Sequence, residues 1–96
     1  MNAEQIQTLD SIRSLCRAGA GITGERMGYN ESTSGKGWTH ITVTIHQHNG
    51  DLTAWYVQID PEGRDGSTIG GNLHIALDEL HERLIEHIAK NRREAA

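Results

Sequence analysis

Residues 38–60 read WTHITVTIHQHNGDLTAWYVQID and contain two consecutive runs in which apolar and polar residues alternate. Alternation of this kind is typical of half-buried β-strands, because successive side chains of a strand point to opposite faces of the sheet. The apolar members of the two runs are Ile41, Val43 and Ile45, then Trp55, Val57 and Ile59. We therefore predict a β-hairpin with one buried face and one solvated face.

The connection between the two runs contains Asn49 and Gly50, a pair that favours a two-residue turn. A two-residue turn would put the apolar halves of the two strands on opposite faces of the hairpin. A three-residue loop, starting at His48 and with a left-handed Gly50, instead places Val43 opposite Trp55. Because burial of one face sets the register, we predict the three-residue loop.

Length and composition predict one domain that spans residues 1–96, and its core must be thin because there are only four aromatic residues and no Phe. The net charge of −4 argues against a protein that binds nucleic-acid phosphates or an anionic membrane. Cys16 is the only cysteine, which favours a reducing compartment. The chain shows neither a signal-peptide pattern nor an apolar run of membrane-spanning length, so we expect a cytoplasmic protein.

The remaining elements follow from helical spacing and glycine positions. Residues 2–17 predict a helix with Asn2 as N-cap and Gln5 completing a capping box, and Gly19 and Gly21 are expected to end it. Residues 22–29 indicate a weak strand, and residues 30–37 a mobile connection. A last helix is expected to begin after Asn72. The fold class is thus α+β in the order α-β-β-β-α, a three-stranded antiparallel sheet with two helices packed on one face.

Six histidines raise the question of a metal site. His46 and His48 have a spacing that could place two imidazoles on one metal ion, and His74, Asp78 and His81 fall at i, i+4 and i+7 of the expected helix. Solvated histidines on a polar face produce the same spacings. We therefore expect no metal and no cofactor. The spacing of the residues also places no nucleophile beside a base, so we expect that the protein is not an enzyme. A small His- or metal-dependent enzyme is the alternative.

The order helix, three strands, helix is similar to that of double-stranded-RNA-binding domains. In that family the RNA contacts depend on a lysine-rich start of the second helix, where this chain has Gly70-Gly71-Asn72-Leu73-His74. This segment contains neither Lys nor Arg, so direct RNA binding is only a second alternative. Residues 57–63, VQIDPEG, followed by the helix that contains Ala76-Leu77, resemble HicB-type antitoxins in the order of a strand, an acidic turn and a helix. That resemblance implies a regulator that binds another protein.

The acidic residues near the hairpin are the predicted contact surface. Between residues 38 and 69, four acids stand against Arg64 alone, a balance of −3. We predict a small acidic module that regulates or inhibits another protein, of the kind carried by phages or plasmids, whose partner has a basic surface and handles nucleic acid. A homodimer through the sheet or its edge is also expected. The predicted contact residues are Asp51, Asp60, Glu62, Asp65 and Glu31.

Overall fold

The computed structural model describes residues 1–66 and 73–92. The elements follow the order α1 (Ala3–Thr23), β1 (Arg26–Thr33), β2 (Thr39–His46), β3 (Leu52–Ile59), β4 (Asp65–Gly66) and α2 (Leu77–Lys90). The strands form one antiparallel sheet in the order β1-β2-β3-β4, and both helices pack on one face of it. The α+β class is confirmed. The two-residue β4, which pairs with the end of β3, adds a fourth strand to the three that were predicted.

The central hairpin has the predicted register. Val43 lies opposite Trp55, and the backbone N–H of Gln47 donates to the carbonyl of Asp51 over 2.9 Å, which closes the three-residue loop. Gly50 in this loop has a φ of 93°, the left-handed conformation that glycine adopts without strain. The three-residue loop was therefore the correct choice.

The core lies between the sheet and the two helices. It combines the apolar face of the hairpin with one stripe from each helix, and the side chains are almost all aliphatic, as the composition indicated. The most deeply buried apolar residues of this core are Ile12, Ile41, Val43, Ile45, Ile59, Leu77, Leu80 and Leu84.

Among the residues that the structure describes, no helix is both long and apolar enough to cross a membrane.

Helix α1 begins as predicted, because Asn2 and Gln5 exchange the two hydrogen bonds of a capping box. Its predicted end was wrong. The helix continues through Gly19 and ends at Thr23, where Gly24 takes a left-handed φ of 75° as the C-cap. Gly19 is buried, and a Cβ atom placed there would lie only 2.6 Å from Cδ1 of Ile88. This glycine therefore allows the two helices to approach each other.

Strand β1 also differs from its prediction. It spans Arg26–Thr33, so residues 30–33 belong to the sheet and only residues 34–38 form the connection to β2. In that connection the N–H of Ser34 donates to the carbonyl of Trp38 over 2.8 Å. The later start of the strand follows from the longer α1, and its polar second half is extended because it pairs with β2 residue by residue.

Helix α2 begins at Leu77 with Ala76 as its N-cap, four residues later than the start after Asn72 that was predicted for it. Asn72 itself lies outside the described residues. The chain just before the helix is held in an extended form beside β3, because the N–H of Tyr56 donates to the carbonyl of Leu73 and the N–H of Ile75 donates to that of Tyr56. Sheet hydrogen bonds thus replace the first helical turn.

Candidate partner-binding surface

Asp60, one of the predicted contact residues, organises the turn that follows β3. Its Oδ1 accepts hydrogen bonds from the N–H groups of Glu62 (3.0 Å) and Arg64 (2.8 Å), and its Oδ2 lies 2.5 Å from Nε of Arg64. The hydrogen bond from the backbone N–H of Arg64 does most to hold the pKa of Asp60 below its ordinary value. Partial burial raises this pKa, and the Arg64 guanidinium lowers it further. The carboxylate is therefore engaged within the turn and only about 9% exposed.

Asp65 joins this turn to the first turns of both helices. Its Oδ1 accepts from Nε2 of Gln5 (3.2 Å), and its Oδ2 accepts from the backbone N–H of Leu77 (3.3 Å), the first residue of α2. Nε2 of Gln5 also donates to the carbonyl of Gly63. The two helices therefore both begin at the same end of the sheet, which we call the Pro61 end and define as residues 60–65 with the first turns of α1 and α2.

Three exposed acidic residues belong to the Pro61 end. Glu62 belongs to the turn, and Glu4 and Asp78 each adjoin a residue that contacts it, Gln5 and Leu77 respectively. All three residues are exposed. Negative side chains in the first turn of a helix are favourable because they face the positive end of the helix dipole. Glu4 and Asp78 were missed in the sequence as members of this end, because only the parallel arrangement of the helices places the first turns of α1 and α2 at the same end of the sheet as Glu62.

Asp51 and Glu31 lie elsewhere. Asp51 is in the hairpin tip (residues 47–51), on the far side of an eight-residue strand from Asp60, a distance of about 30 Å at about 3.3 Å per residue. Glu31 lies on β1, where its Oε1 accepts a hydrogen bond from the hydroxyl of Tyr29 (2.7 Å) and lies 3.6 Å from the guanidinium of Arg13. The structure thus brings together three of the five predicted contact residues, Asp60, Glu62 and Asp65.

The predicted histidine groups are separated. His46 lies on the solvated face of the sheet, whereas Nε2 of His48 lies 3.0 Å from the carbonyl of Thr23 at the end of α1. His74 precedes α2, and its ring stacks on Tyr56 at a centroid distance of 5.9 Å. Asp78 and His81 remain on the helix. In residues 1–66 and 73–92, no group of three or more His, Cys, Asp or Glu side chains could hold a metal ion.

A buried pair that the sequence did not indicate links α2 to the start of β1. Nε2 of His87 lies 2.7 Å from Oε1 of Glu25, and the side chains are 13% and 2% exposed. The His87 ring also meets the edge of Trp55 at 6.3 Å. The two partners are 62 residues apart, so local spacing carries no signal of the contact. The pair fixes α2 against the corner between α1 and β1.

Comparison of the chain with protein-family models, with curated proteins and with solved structures finds no match in any of the three.

Proposed function

We propose that this chain is a protein-binding module that regulates or inhibits another protein by covering a basic surface with its Pro61 end. The observation that carries the proposal is that three exposed acidic residues, Glu4, Glu62 and Asp78, belong to one end of the sheet, where hydrogen bonds attach the turn after β3 to both helices. Within residues 60–65, Arg64 is the only basic residue, and its guanidinium lies 3.5 Å from the carboxylate of Glu62.

Rigidity supports this role. The carboxylates of Asp60 and Asp65 accept hydrogen bonds from backbone N–H groups of the turn and of the first residue of α2. These bonds hold the backbone on either side of the exposed acidic residues in place. A preorganised surface loses little conformational entropy on binding. Exposed charges of one sign also accelerate encounter with a partner of the opposite sign, and salt reduces the effect. Proteins that handle nucleic acid carry basic surfaces of the kind required.

The test begins with recovery of the partner from the native host on immobilised protein. Association rates are then measured by stopped flow at low and high salt for the wild type and for Glu62→Lys/Asp78→Lys. These substitutions leave Asp60 and Asp65 in place. We expect the variant to associate at least about tenfold more slowly at low salt, and the difference to shrink at high salt.

The matched control is Asp51→Lys/Glu86→Lys, which changes the net charge by the same amount at exposed positions away from the Pro61 end. If both variants slow association equally, net charge alone is responsible and the proposed surface is wrong. Unchanged melting temperatures establish that neither variant is unfolded.

A further inference from the structure

Strand β1 forms one edge of the described sheet, and its outward backbone groups are identified by the pairing with β2. Ser34 and Trp38 are joined by a backbone hydrogen bond, and bonded and non-bonded pairs alternate along an antiparallel ladder. The even-numbered residues of β1 therefore bond to β2. The backbone N–H and C=O groups that point to the open edge belong to Met27, Tyr29, Glu31 and Thr33.

This edge has few of the features that protect exposed strands from further pairing. Strand β1 is eight residues long, contains neither proline nor lysine, and pairs with β2 without a bulge. Edges of this kind bind additional strands readily, because each added residue satisfies backbone groups that otherwise face water.

A groove of about 560 Å³ runs between this edge and α1. The lining residues of α1 follow the spacing i, i+3, i+4 and i+7 and therefore lie on one face of the helix. The lining residues of β1, Met27 and Tyr29, are among those whose backbone groups point to the open edge. A strand added to β1 would therefore direct alternate side chains into the groove. The lining residues are Arg13, Cys16, Arg17, Ala20, Met27 and Tyr29.

The charge of the groove indicates what would occupy it. Arg13 lies over the ring of Tyr29 at 5.3 Å and is shared between Asp10 (3.4 Å) and Glu31 (3.6 Å). Arg17 is exposed and forms no ion pair within residues 1–66 and 73–92. The two arginines are one helical turn apart, about 6 Å along the axis. Alternate residues of a strand are about 6.7 Å apart, so two carboxylates at such positions match them.

A second copy of the chain fits this edge less well. Pairing of β1 with β1 across a two-fold axis would place the Arg13 and Arg17 faces of two α1 helices on the same side of the joined sheet, facing each other. Like charges brought together in this way oppose association. An incoming strand without a helix of its own and with acidic side chains meets no such repulsion.

We infer that the groove between α1 and β1 binds an extended acidic segment of a partner protein, which adds to β1 as an antiparallel strand. Two acidic side chains at alternate positions face Arg13 and Arg17, and an apolar side chain at the next alternate position contacts Ala20 and Met27. The inference is independent of the proposed function, since it concerns a different surface, one lined by two arginines, and a synthetic peptide tests it without the native partner.

The probe is a fluorescein-labelled seven-residue peptide in which threonine alternates with glutamate, glutamate and leucine in that order. The control peptide has the same composition with its two glutamates adjacent, so that only one can face α1. We expect saturable binding of the probe by fluorescence anisotropy, at least about tenfold tighter than the control. Backbone amide NMR signals of the outward-pointing residues Met27, Tyr29, Glu31 and Thr33 should shift more than those of their even-numbered neighbours.

Two substitutions of Glu31 separate the contribution of its backbone N–H to peptide binding from the contribution of its side chain. Glu31→Pro removes an N–H that points to the open edge and leaves the bonds to β2 intact, whereas Glu31→Ala keeps that N–H and removes the same carboxylate. The proline variant should bind the probe about tenfold more weakly than the alanine variant. Arg17→Glu should weaken binding by about tenfold or more.

Equal binding of both peptides, no saturation of the probe below about 1 mM, or equal binding by the two Glu31 variants would each overturn the inference. A wild-type dimer that Glu31→Pro dissociates, measured by sedimentation equilibrium, would overturn it in favour of a second copy on this edge. Circular dichroism melts of all variants check that the fold is retained, and Arg17→Glu provides the decisive comparison if Glu31→Pro does not fold.

Discussion

Replacing Gly19 by alanine should not stabilise the fold, although alanine favours helix formation. In a helix interior alanine is better than glycine by up to about 1 kcal/mol. At Gly19, however, the new Cβ atom would lie 2.6 Å from Cδ1 and 2.9 Å from Cγ1 of Ile88, and 3.0 Å from the sulfur of Met27. Overpacking of this kind costs about 1–3 kcal/mol. The expected net effect ranges from neutral to about 2 kcal/mol of destabilisation.

Gly21, two residues further along α1, provides the matched control. It is exposed, and a Cβ atom there would have no neighbour within 4 Å. Gly21→Ala should therefore stabilise the protein by about 0.5–1 kcal/mol. Urea unfolding followed by tryptophan fluorescence measures both changes, provided that the slope of the transition is constant among variants. The two alanine variants should differ by about 1–3 kcal/mol.

A double variant tests the assigned cause. Ile88→Val removes Cδ1, the atom closest to the new methyl group, and alone should cost about 0.5–1.5 kcal/mol. Combined with Gly19→Ala it should cost at least about 0.5 kcal/mol less than the sum of the two single changes. If Gly19→Ala raises the urea midpoint as much as Gly21→Ala does, close contact between the helices is not the reason for a glycine at this position.

Three further outcomes are expected. Trp55→Ala, which removes a side chain that is only 7% exposed, should cost about 3–5 kcal/mol in urea unfolding, and a loss below 1 kcal/mol would contradict its place in the core. Because the pKa of Asp60 is depressed in the folded state, its contribution is present above the unfolded value near 3.8 and is lost as the pH falls through the folded value. The stability difference between wild type and Asp60→Asn should therefore narrow between pH 6 and pH 2, and a constant difference would reject the assignment. Light scattering at high micromolar concentration should show the mass of a dimer, as expected if two copies pair through the mildly polar sheet face that carries Thr42, Thr44 and half-buried Tyr56; a monomer mass would reject it.

The hairpin was predictable because burial alone decides its register. The two-residue turn would put Val43 and Trp55 on opposite faces, whereas the three-residue loop puts them on the same face, so burial excludes the alternative turn. The start of α1 was predictable for a similar reason, since Asn2 and Gln5 form a capping box with hydrogen bonds between residues three apart. Both features depend on residues that are close together in the sequence, so they can be predicted without knowledge of the rest of the fold.

The errors concern positions where a distant segment decides the conformation. Helix α1 continues through Gly19, which packs against Ile88 of α2, and the residues just before α2 form hydrogen bonds with Tyr56 of β3. Strand β1 shows no clear alternation, because it is an edge strand with an exposed second half. The acidic residues of the Pro61 end were identified in part, since Glu4 and Asp78 belong to this end only because both helices begin there.

The corner between α1 and β1 sets the shape of the groove that we propose as a binding site. The hydroxyl of Thr23 donates to the carbonyl of Gly19 (2.8 Å) and accepts from the N–H of Glu25 (3.1 Å), and Glu25 in turn binds His87 of α2. Thr23 and Glu25 are both buried, so breaking either contact would leave a polar group without water. Because the corner connects α1 directly to β1, it sets the spacing between Arg17 and the strand edge at which we propose that a partner binds. An incoming strand then orders itself alone, which lowers the entropy cost of binding.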